Sequence, residues 1–232
     1  MSNEGIVGEI FGWIGSVLAI IFYISPVVPF YDLIKEKITY KETPGVLLIM
    51  SFFNCILWGV YGLRGDKIQV WLTNFLGAFI TIIFIITYLI YLSEQKIFQS
   101  ILYNLITFNF VIEIFYVSYK LVDNEYVGNT AMIFNILMYA APGEKIYQVF
   151  QTGKYDLLPI VSSVCGLCSA TSWFIYGIYK SDSNIYVPNG LGILFALLQI
   201  GVWYNFYRKR DETEKIKLNS TNEYKDTSVN QN

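Results

Sequence analysis

The sequence predicts an all-α membrane protein of seven transmembrane helices, built as two parallel three-helix repeats joined by one linker helix. Three observations predict it: a composition too apolar for a water-soluble globule, long uncharged runs that match the thickness of a bilayer, and an internal repeat. Of the 232 residues, 54% are hydrophobic, 18% aromatic and only 15% charged, which leaves too little polar surface to coat a soluble fold. The charges also fall in short clusters between the runs, as they must when each run crosses about 30 Å of hydrocarbon.

From the N-terminus the apolar runs cover residues 10–31, 44–63, 68–93, 97–119, 126–143, 157–179 and 185–207, and only Glu113 interrupts the fourth. About 20 residues at 1.5 Å rise span the hydrocarbon, so all are long enough, the run at 126–143 only just. Barrel strands would need about ten residues and would alternate polar with apolar, so the spans are helices. Residues 1–9 carry Glu4 and Glu9 but no Lys or Arg. They therefore lack the basic start of a cleavable signal peptide, and the first run is expected to stay in the membrane.

Basic residues set the orientation. Lys35, Lys37, Lys41, Lys96, Lys145, Lys154, Arg208, Lys209, Arg210, Lys215, Lys217 and Lys225 fall on one side, and Arg64, Lys67, Lys120 and Lys180 on the other, which is 12 against 4. By the positive-inside rule the N-terminus is extracytosolic and the C-terminus cytosolic. Residues 208–232 are polar and charged with almost nothing apolar, and are expected to form a disordered cytosolic tail. A glycosylation signal at Asn219-Ser220-Thr221 would therefore never meet the glycosylation machinery.

The repeat is the most informative feature. A shift of 115 residues lays Pro44 on Pro159, Trp58 on Trp173, Tyr61-Gly62 on Tyr176-Gly177, Asn74 on Asn189 and Gly77 on Gly192; a shift of 116 lays Pro26 on Pro142 and Tyr31 on Tyr147. Identities confined to Pro, Trp, Tyr, Gly and Asn do not arise from two unrelated apolar stretches. The units are residues 10–93 and 126–207. A three-helix unit leaves the membrane on the side opposite to its entry, so a second parallel copy needs one extra crossing. Residues 97–119 supply it, and such a 3+1+3 arrangement places a substrate site at the repeat interface near the midplane.

The stretches Phe22-Tyr23-Ile24-Ser25-Pro26, Met138-Tyr139-Ala140-Ala141-Pro142, Thr171-Ser172-Trp173-Phe174-Ile175-Tyr176-Gly177 and Val187-Pro188-Asn189-Gly190 resemble the SWEET (MtN3/saliva) sugar transporters. The resemblance covers about residues 8–207 and implies facilitated, bidirectional sugar transport. A sugar needs hydrogen-bonding amides for its hydroxyls and aromatic rings for its C–H faces, and has little use for charge. Trp58, Trp173, Asn74 and Asn189 are such a set, with each Asn 16 residues after its Trp; Trp13, Trp71 and Trp203 read as anchors or packing. The resemblance makes these four, with Ala19, Phe22, Asn54, Asn135, Met138 and Ser169, the chamber walls. It makes Pro26, Pro44, Pro142 and Pro159 an intracellular gate, and Tyr61 and Asp182 an extracellular one. Within that family, small residues at the positions of Asn135 and Met138 accompany disaccharide transport, so the larger pair here points to a monosaccharide such as glucose.

Departures from the pattern are Trp71-Leu72-Thr73-Asn74-Phe75 in place of Pro-Asn-Gly in the first repeat, and the absence of Gln after Pro26 and Pro142. The second argues against PQ-loop amino-acid transporters, which share the fold and remain an alternative as carriers of another small polar solute. A seven-helix signalling receptor is the other alternative; the 3+1+3 repeat and short cytosolic loops speak against it. No His, no paired intramembrane carboxylates and no metal-ligand cluster are present, so neither enzyme chemistry nor a cofactor or metal is expected. Cys55, Cys165 and Cys168 read as packing residues in apolar runs. Glu113 lies on the linker, with a structural role expected. The pathway spans carry no ionisable group, so transport is expected to be uncoupled. The net charge of −2 predicts no nucleic-acid partner. The expected partners are a sugar and the bilayer, the plasma membrane rather than an internal one; homo-oligomerisation is left open.

Overall fold

The computed structural model describes residues 3–35 and 45–229. Among these described residues eight α-helices follow in order: α1 Asn3–Ile24, α2 Val27–Ile34, α3 Gly45–Arg64, α4 Ile68–Lys120, α5 Asn124–Leu137, α6 Ala140–Thr152, α7 Ile160–Tyr179 and α8 Ser183–Val229, with a 3-10 turn at Tyr155–Leu157. Among the described residues, the segments Gly5–Ile24, Leu47–Arg64, Ile68–Ile90, Ile160–Tyr179 and Ser183–Glu212 are each long and apolar enough to cross a membrane. With α1–α2 and α5–α6 taken as kinked crossings and α4 as the third crossing plus the linker, the order is three, one, three.

The kinks have one cause. Proline has no N–H to donate to the carbonyl four residues back and its ring crowds that carbonyl. For Pro26 that carbonyl is Phe22, which instead accepts from the Ser25 N–H at 3.1 Å. For Pro142 it is Met138, where α5 ends. Phe22 and Met138 are repeat mates, so both first helices of the repeats break at the same place, inside the single spans predicted at 10–31 and 126–143. Pro159 instead stands at the N-cap of α7; Pro44 lies outside the described residues.

Two further differences from the sequence reading concern helix ends. No non-helical residue separates the third span from the linker, since α4 is helical from Ile68 to Lys120. Val70 at its start belongs to the cluster shared by the repeats and Val122 just past its end packs against that same cluster, so the chain reverses within α4 as a crossing followed by a linker requires. Glu94, Gln95 and Lys96 are strong helix formers, and neither Gly nor Pro interrupts them. The side chain of Glu113 lies outside the described residues. Where a disordered tail is predicted from Arg208, α8 continues to Val229. Ion pairs one turn apart, Arg208–Glu212 at 2.8 Å and Lys215–Asp211 at 2.7 Å, support the first turns of that extension.

The repeat is visible in the packing. Helix α3 packs on α4 as α7 does on α8, and α1 touches α4 as α5 touches α8; between repeats, α1 lies along α7 and α5 along α3. In lipid, helices gain nothing from hydrophobic association and rely on close van der Waals contact, which small residues permit. Here glycines act as sockets for aromatic rings. A Cβ on Gly12 would stand 2.7 Å from the Tyr176 ring, one on Gly128 2.6 Å from the Tyr61 ring, one on Gly77 2.5 Å from the Tyr23 ring, and one on Gly192 2.5 Å from the Tyr139 hydroxyl. These are repeat-related pairs. The loops repeat as well: among the described residues, Asp66 and Ser181, 115 residues apart, are the non-glycine residues with left-handed backbone, each at φ 52°.

The buried clusters locate where the repeats meet. One joins Leu57, Trp58, Val60, Tyr61 and Val70 of the first repeat to Val127, Ala131, Trp173, Tyr176 and Ile185 of the second. The other two stay within a repeat: Phe30, Leu33, Leu48, Phe52, Cys55, Ile56, Ala78 and Ile85 in the first, and Ile146, Val149, Leu158 and Val202 in the second. The halves are thus fused at the Tyr61 end of the bundle, and each keeps its own core toward the proline end.

Candidate functional site

At the fused end, Tyr61 closes α3 and Asp182 sits in the short loop between α7 and α8. The Tyr61 hydroxyl donates to both carboxylate oxygens of Asp182 at 2.9 Å, and Lys67 Nζ is 2.7 Å from Oδ2 and 4.3 Å from the centroid of the Tyr61 ring. Asp182 is only 6% exposed at its side chain. Burial works against the Lys67 charge, but the hydrogen bond and charge of Asp182 outweigh it and hold the ammonium above the ordinary lysine range. Lys67 and Asp182 are repeat mates, 115 residues apart, with opposite charges. The symmetric position thereby becomes a bond between the repeats.

A second set of contacts closes the other flank of the same end. Glu9 of α1 pairs with Lys180 at the end of α7 and accepts from the Gln69 amide at the start of α4, while the Tyr176 hydroxyl lies 3.5 Å from Gln69 Oε1. Tyr176 is the mate of Tyr61, and Glu9 joins the two halves as Asp182 does. The sequence reading named Tyr61 and Asp182 but missed Lys67, Gln69, Glu9 and Lys180. The available signal was the register: Lys67 falls on Asp182 at a shift of 115, a charge complement that a search for identities passes over.

One turn below lie the tryptophans. Trp58 meets Tyr61 edge-on with centroids 5.6 Å apart, and Trp173 meets Tyr176 edge-on at 5.4 Å; the two indoles are 7% and 9% exposed in the cluster shared by both repeats. Trp173 also packs on Gly15 of α1. Together they form a symmetric aromatic roof under the closed end.

The asparagines hang from the third helix of each repeat. Asn74 Nδ2 donates to the Val70 carbonyl at 2.8 Å and Asn189 Nδ2 to the Ile185 carbonyl at 2.7 Å, the same bond one turn back in both repeats. Because each amide nitrogen is committed to a carbonyl, each oxygen faces away from its own helix. Asn74 Oδ1 receives the Tyr23 hydroxyl at 3.2 Å. Tyr139, the mate of Tyr23, donates instead to the Pro188 carbonyl at 3.0 Å. Asn74 is buried and Asn189 half-buried.

Of the other predicted wall residues, Asn54 is buried with its Oδ1 lacking a hydrogen-bond partner. Ala19, Asn135, Met138 and Ser169 are half-buried and Phe22 is exposed. Among the described residues, none of these hydrogen-bonds to either asparagine. Pro26 and Pro142 are half-buried and Pro159 exposed. Two indoles and several amides, with no metal-ligand cluster among the described residues, are chemistry that suits a neutral polyhydroxylated molecule better than an ion.

A two-repeat helical bundle with a polar, aromatic-roofed interface, closed at one end by cross-repeat hydrogen bonds, defines a membrane transporter of the 3+1+3 class. The family described as sugar efflux transporter for intercellular exchange matches residues 9–96 and 125–211, one match per repeat, and the chain belongs to this family, the SWEETs. It is 32% identical over 213 residues to the bidirectional sugar transporter SWEET1a of Oryza sativa subsp. japonica, covering 88% of this chain and 77% of that protein. It is 27% identical over 224 residues to the bidirectional sugar transporter SWEET7 of Arabidopsis thaliana, covering 93% and 85%. A solved structure of a eukaryotic SWEET transporter shares the fold with a TM-score of 0.81 at 23% identity, covering 89% of this chain and all of that one.

Proposed function

We propose that the chain is a facilitative, uncoupled sugar transporter that carries a hexose such as glucose in either direction by alternating access. The observation that supports this reading is the matched set of Trp and Asn residues, one from each repeat: the indoles lie in the cluster that joins the repeats, and the asparagines are held alike on the third helix of each. Two indoles and two amides related by one axis present the same chemistry from both halves. That suits a ligand ringed with hydroxyls, which both donate and accept.

Trp58, Trp173, Asn74 and Asn189 contact the sugar, and Asn54, Ser169, Asn135, Met138, Ala19 and Phe22 line the rest of the chamber. The bulk of Asn135 and Met138 favours a monosaccharide. The excess of Lys and Arg beyond the proline end assigns that end to the cytosol, with the plasma membrane as the site of residence. Tyr61 and Asp182, reinforced by Lys67, then form the extracytosolic gate. Pro26, Pro44, Pro142 and Pro159 form the cytosolic one, the kinks at Phe22 and Met138 giving each bundle its hinge. The fused Tyr61 end, with separate cores toward the prolines, supports reading this conformation as closed on the extracytosolic side.

Transport then consists of rocking the two bundles about the central site. The sugar shifts the equilibrium only through its different contacts in the two states. Purified protein in liposomes tests the reading. Labelled glucose should enter until the inner and outer concentrations are equal and no further, with or without imposed pH and sodium gradients. Accumulation driven by either gradient would contradict uncoupled transport, and no entry at all would contradict sugar transport.

A further inference from the structure

The two asparagines are equivalent in sequence and in their backbone bonds, yet their oxygens differ. Asn74 Oδ1 is taken by the Tyr23 hydroxyl at 3.2 Å, whereas the tyrosine that would serve Asn189 is turned onto the Pro188 carbonyl at 3.0 Å. The surroundings of the two tyrosines differ. Pro188 has its repeat mate in Thr73, and the rings of Tyr139 and Phe195 stack at 5.1 Å, which fixes the second tyrosine over the proline turn.

Two functions are open to a hydroxyl on Asn74 Oδ1: it orients the amide, or it occupies it. Orientation is already provided. Asn74 Nδ2 is held by the Val70 carbonyl at 2.8 Å and Asn189 Nδ2 by the Ile185 carbonyl at 2.7 Å, so the second asparagine keeps the same pose with no tyrosine. What the Tyr23 hydroxyl adds is occupancy of an acceptor that a sugar hydroxyl would use. At 3.2 Å the bond is long for O–H···O, and its net worth is small, so it exchanges readily.

The position of Tyr23 on its helix gives the exchange a consequence. It lies between Phe22, whose carbonyl is turned to the Ser25 N–H at the kink, and the Ser25-Pro26 turn, and its ring is seated on Gly77 of α4. The hydrogen bond to Asn74 is thus a tie between the hinge of α1–α2 and the helix that bears the binding amide. Tyr139 ties the matching hinge to a backbone carbonyl, which lies within the helix and is a poorer target for a ligand.

We propose that Tyr23 is an internal competitor of the substrate. Its hydroxyl stands in for a sugar hydroxyl on Asn74 Oδ1, and an arriving sugar displaces it and frees the first repeat's hinge, while the second repeat's hinge stays tied. This rests on the sugar-transport reading above. Tyr23 is a positioning residue that acts through Asn74, and the transporter is asymmetric at the one place where its repeats look most alike.

Hexose uptake into proteoliposomes tests the proposal, with half-saturating concentration and maximal rate measured separately. Tyr23→Phe keeps the ring on Gly77 and removes the competing hydroxyl together with its contact to the Cys55 thiol, so the half-saturating concentration should fall about three- to tenfold. Tyr139→Phe should leave it within about twofold. In an Asn74→Ala background, Tyr23→Phe should change nothing further, which a merely structural role would not produce. Tyr23→Leu, also without a hydroxyl, serves as second variant if Tyr23→Phe yields too little folded protein. An unchanged or raised half-saturating concentration in Tyr23→Phe, or the same fall in the Asn74→Ala background, overturns the proposal. If the wild type moves no sugar, the sugar-transport reading fails and takes this one with it.

Discussion

Lys67 and Asp182 show how a duplicated chain can use one position twice without being symmetric. Equal charges there would repel across the axis; opposite charges, with the Tyr61 hydroxyl on the same carboxylate, pull the repeats together. Removing one partner of such a desolvated pair costs on the order of 3 kcal/mol, because the other is left uncompensated. Asp182→Asn and Lys67→Gln should therefore each slow hexose exchange by tenfold or more, and the double exchange Lys67→Asp with Asp182→Lys should recover a measurable part. Equal loss in the double variant would mean that the pair does not act as a unit. The pH dependence follows from the raised lysine value. A lysine whose folded pKa is raised contributes fully below its ordinary value of about 10.4 and loses that contribution only as pH climbs through the folded value. Uptake should not change between about pH 6 and 9 through this residue, and a step within that range that disappears in Lys67→Gln would contradict it.

At the scale of elements, the prolines and glycines make separate predictions. Pro26→Ala restores an N–H within reach of the Phe22 carbonyl and removes the ring that crowds it, so α1 and α2 should join into a straighter helix. The fold should be retained or more heat-stable while transport falls severalfold, read as melting temperature and uptake on the same preparation. The glycines divide by what surrounds them. A Cβ on Gly177 would lie 2.7 Å from the Tyr186 backbone nitrogen, whereas nothing lies within 4 Å of one on Gly166. Backbone cannot yield as a flexible side chain can, so Gly177→Ala should lower the melting temperature by several degrees and Gly166→Ala by about one degree or less.

Much of this was legible in the sequence. Pro, Trp, Tyr, Gly and Asn recur in register because each does something its neighbours cannot; the uncharged runs marked the spans, the register marked the repeat, and the family resemblance implied the Tyr61–Asp182 contact that the structure closes at 2.9 Å. The rest was hidden for physical reasons. A proline's break falls four residues earlier, at the carbonyl it deprives, so single runs at 10–31 and 126–143 conceal two helices each. The absence of Gly or Pro at Glu94, Gln95 and Lys96 keeps the backbone helical through the boundary that hydropathy marks. The polar tail continues α8 because charge pairs one turn apart support a helix that composition alone does not. Glu9, Gln69 and Lys180 escape a search for identities because their partners are complements, not copies.

For the molecule as a whole, one end fused by a shared core and cross-repeat bonds, with two separate cores toward the other, makes the bundle a pair of jaws about a central site. The proposed site is the set of Trp58, Trp173, Asn74 and Asn189, and the central claim is that a sugar binds there. Hexose uptake by Asn189→Ala and Asn74→Ala in proteoliposomes, beside wild type at equal folded protein, tests it most directly. Each variant removes an amide whose loss strands a polar partner at a cost of about 1–3 kcal/mol. Uptake should drop roughly tenfold or more in both variants, and wild-type rates in the two would contradict the placement of the site.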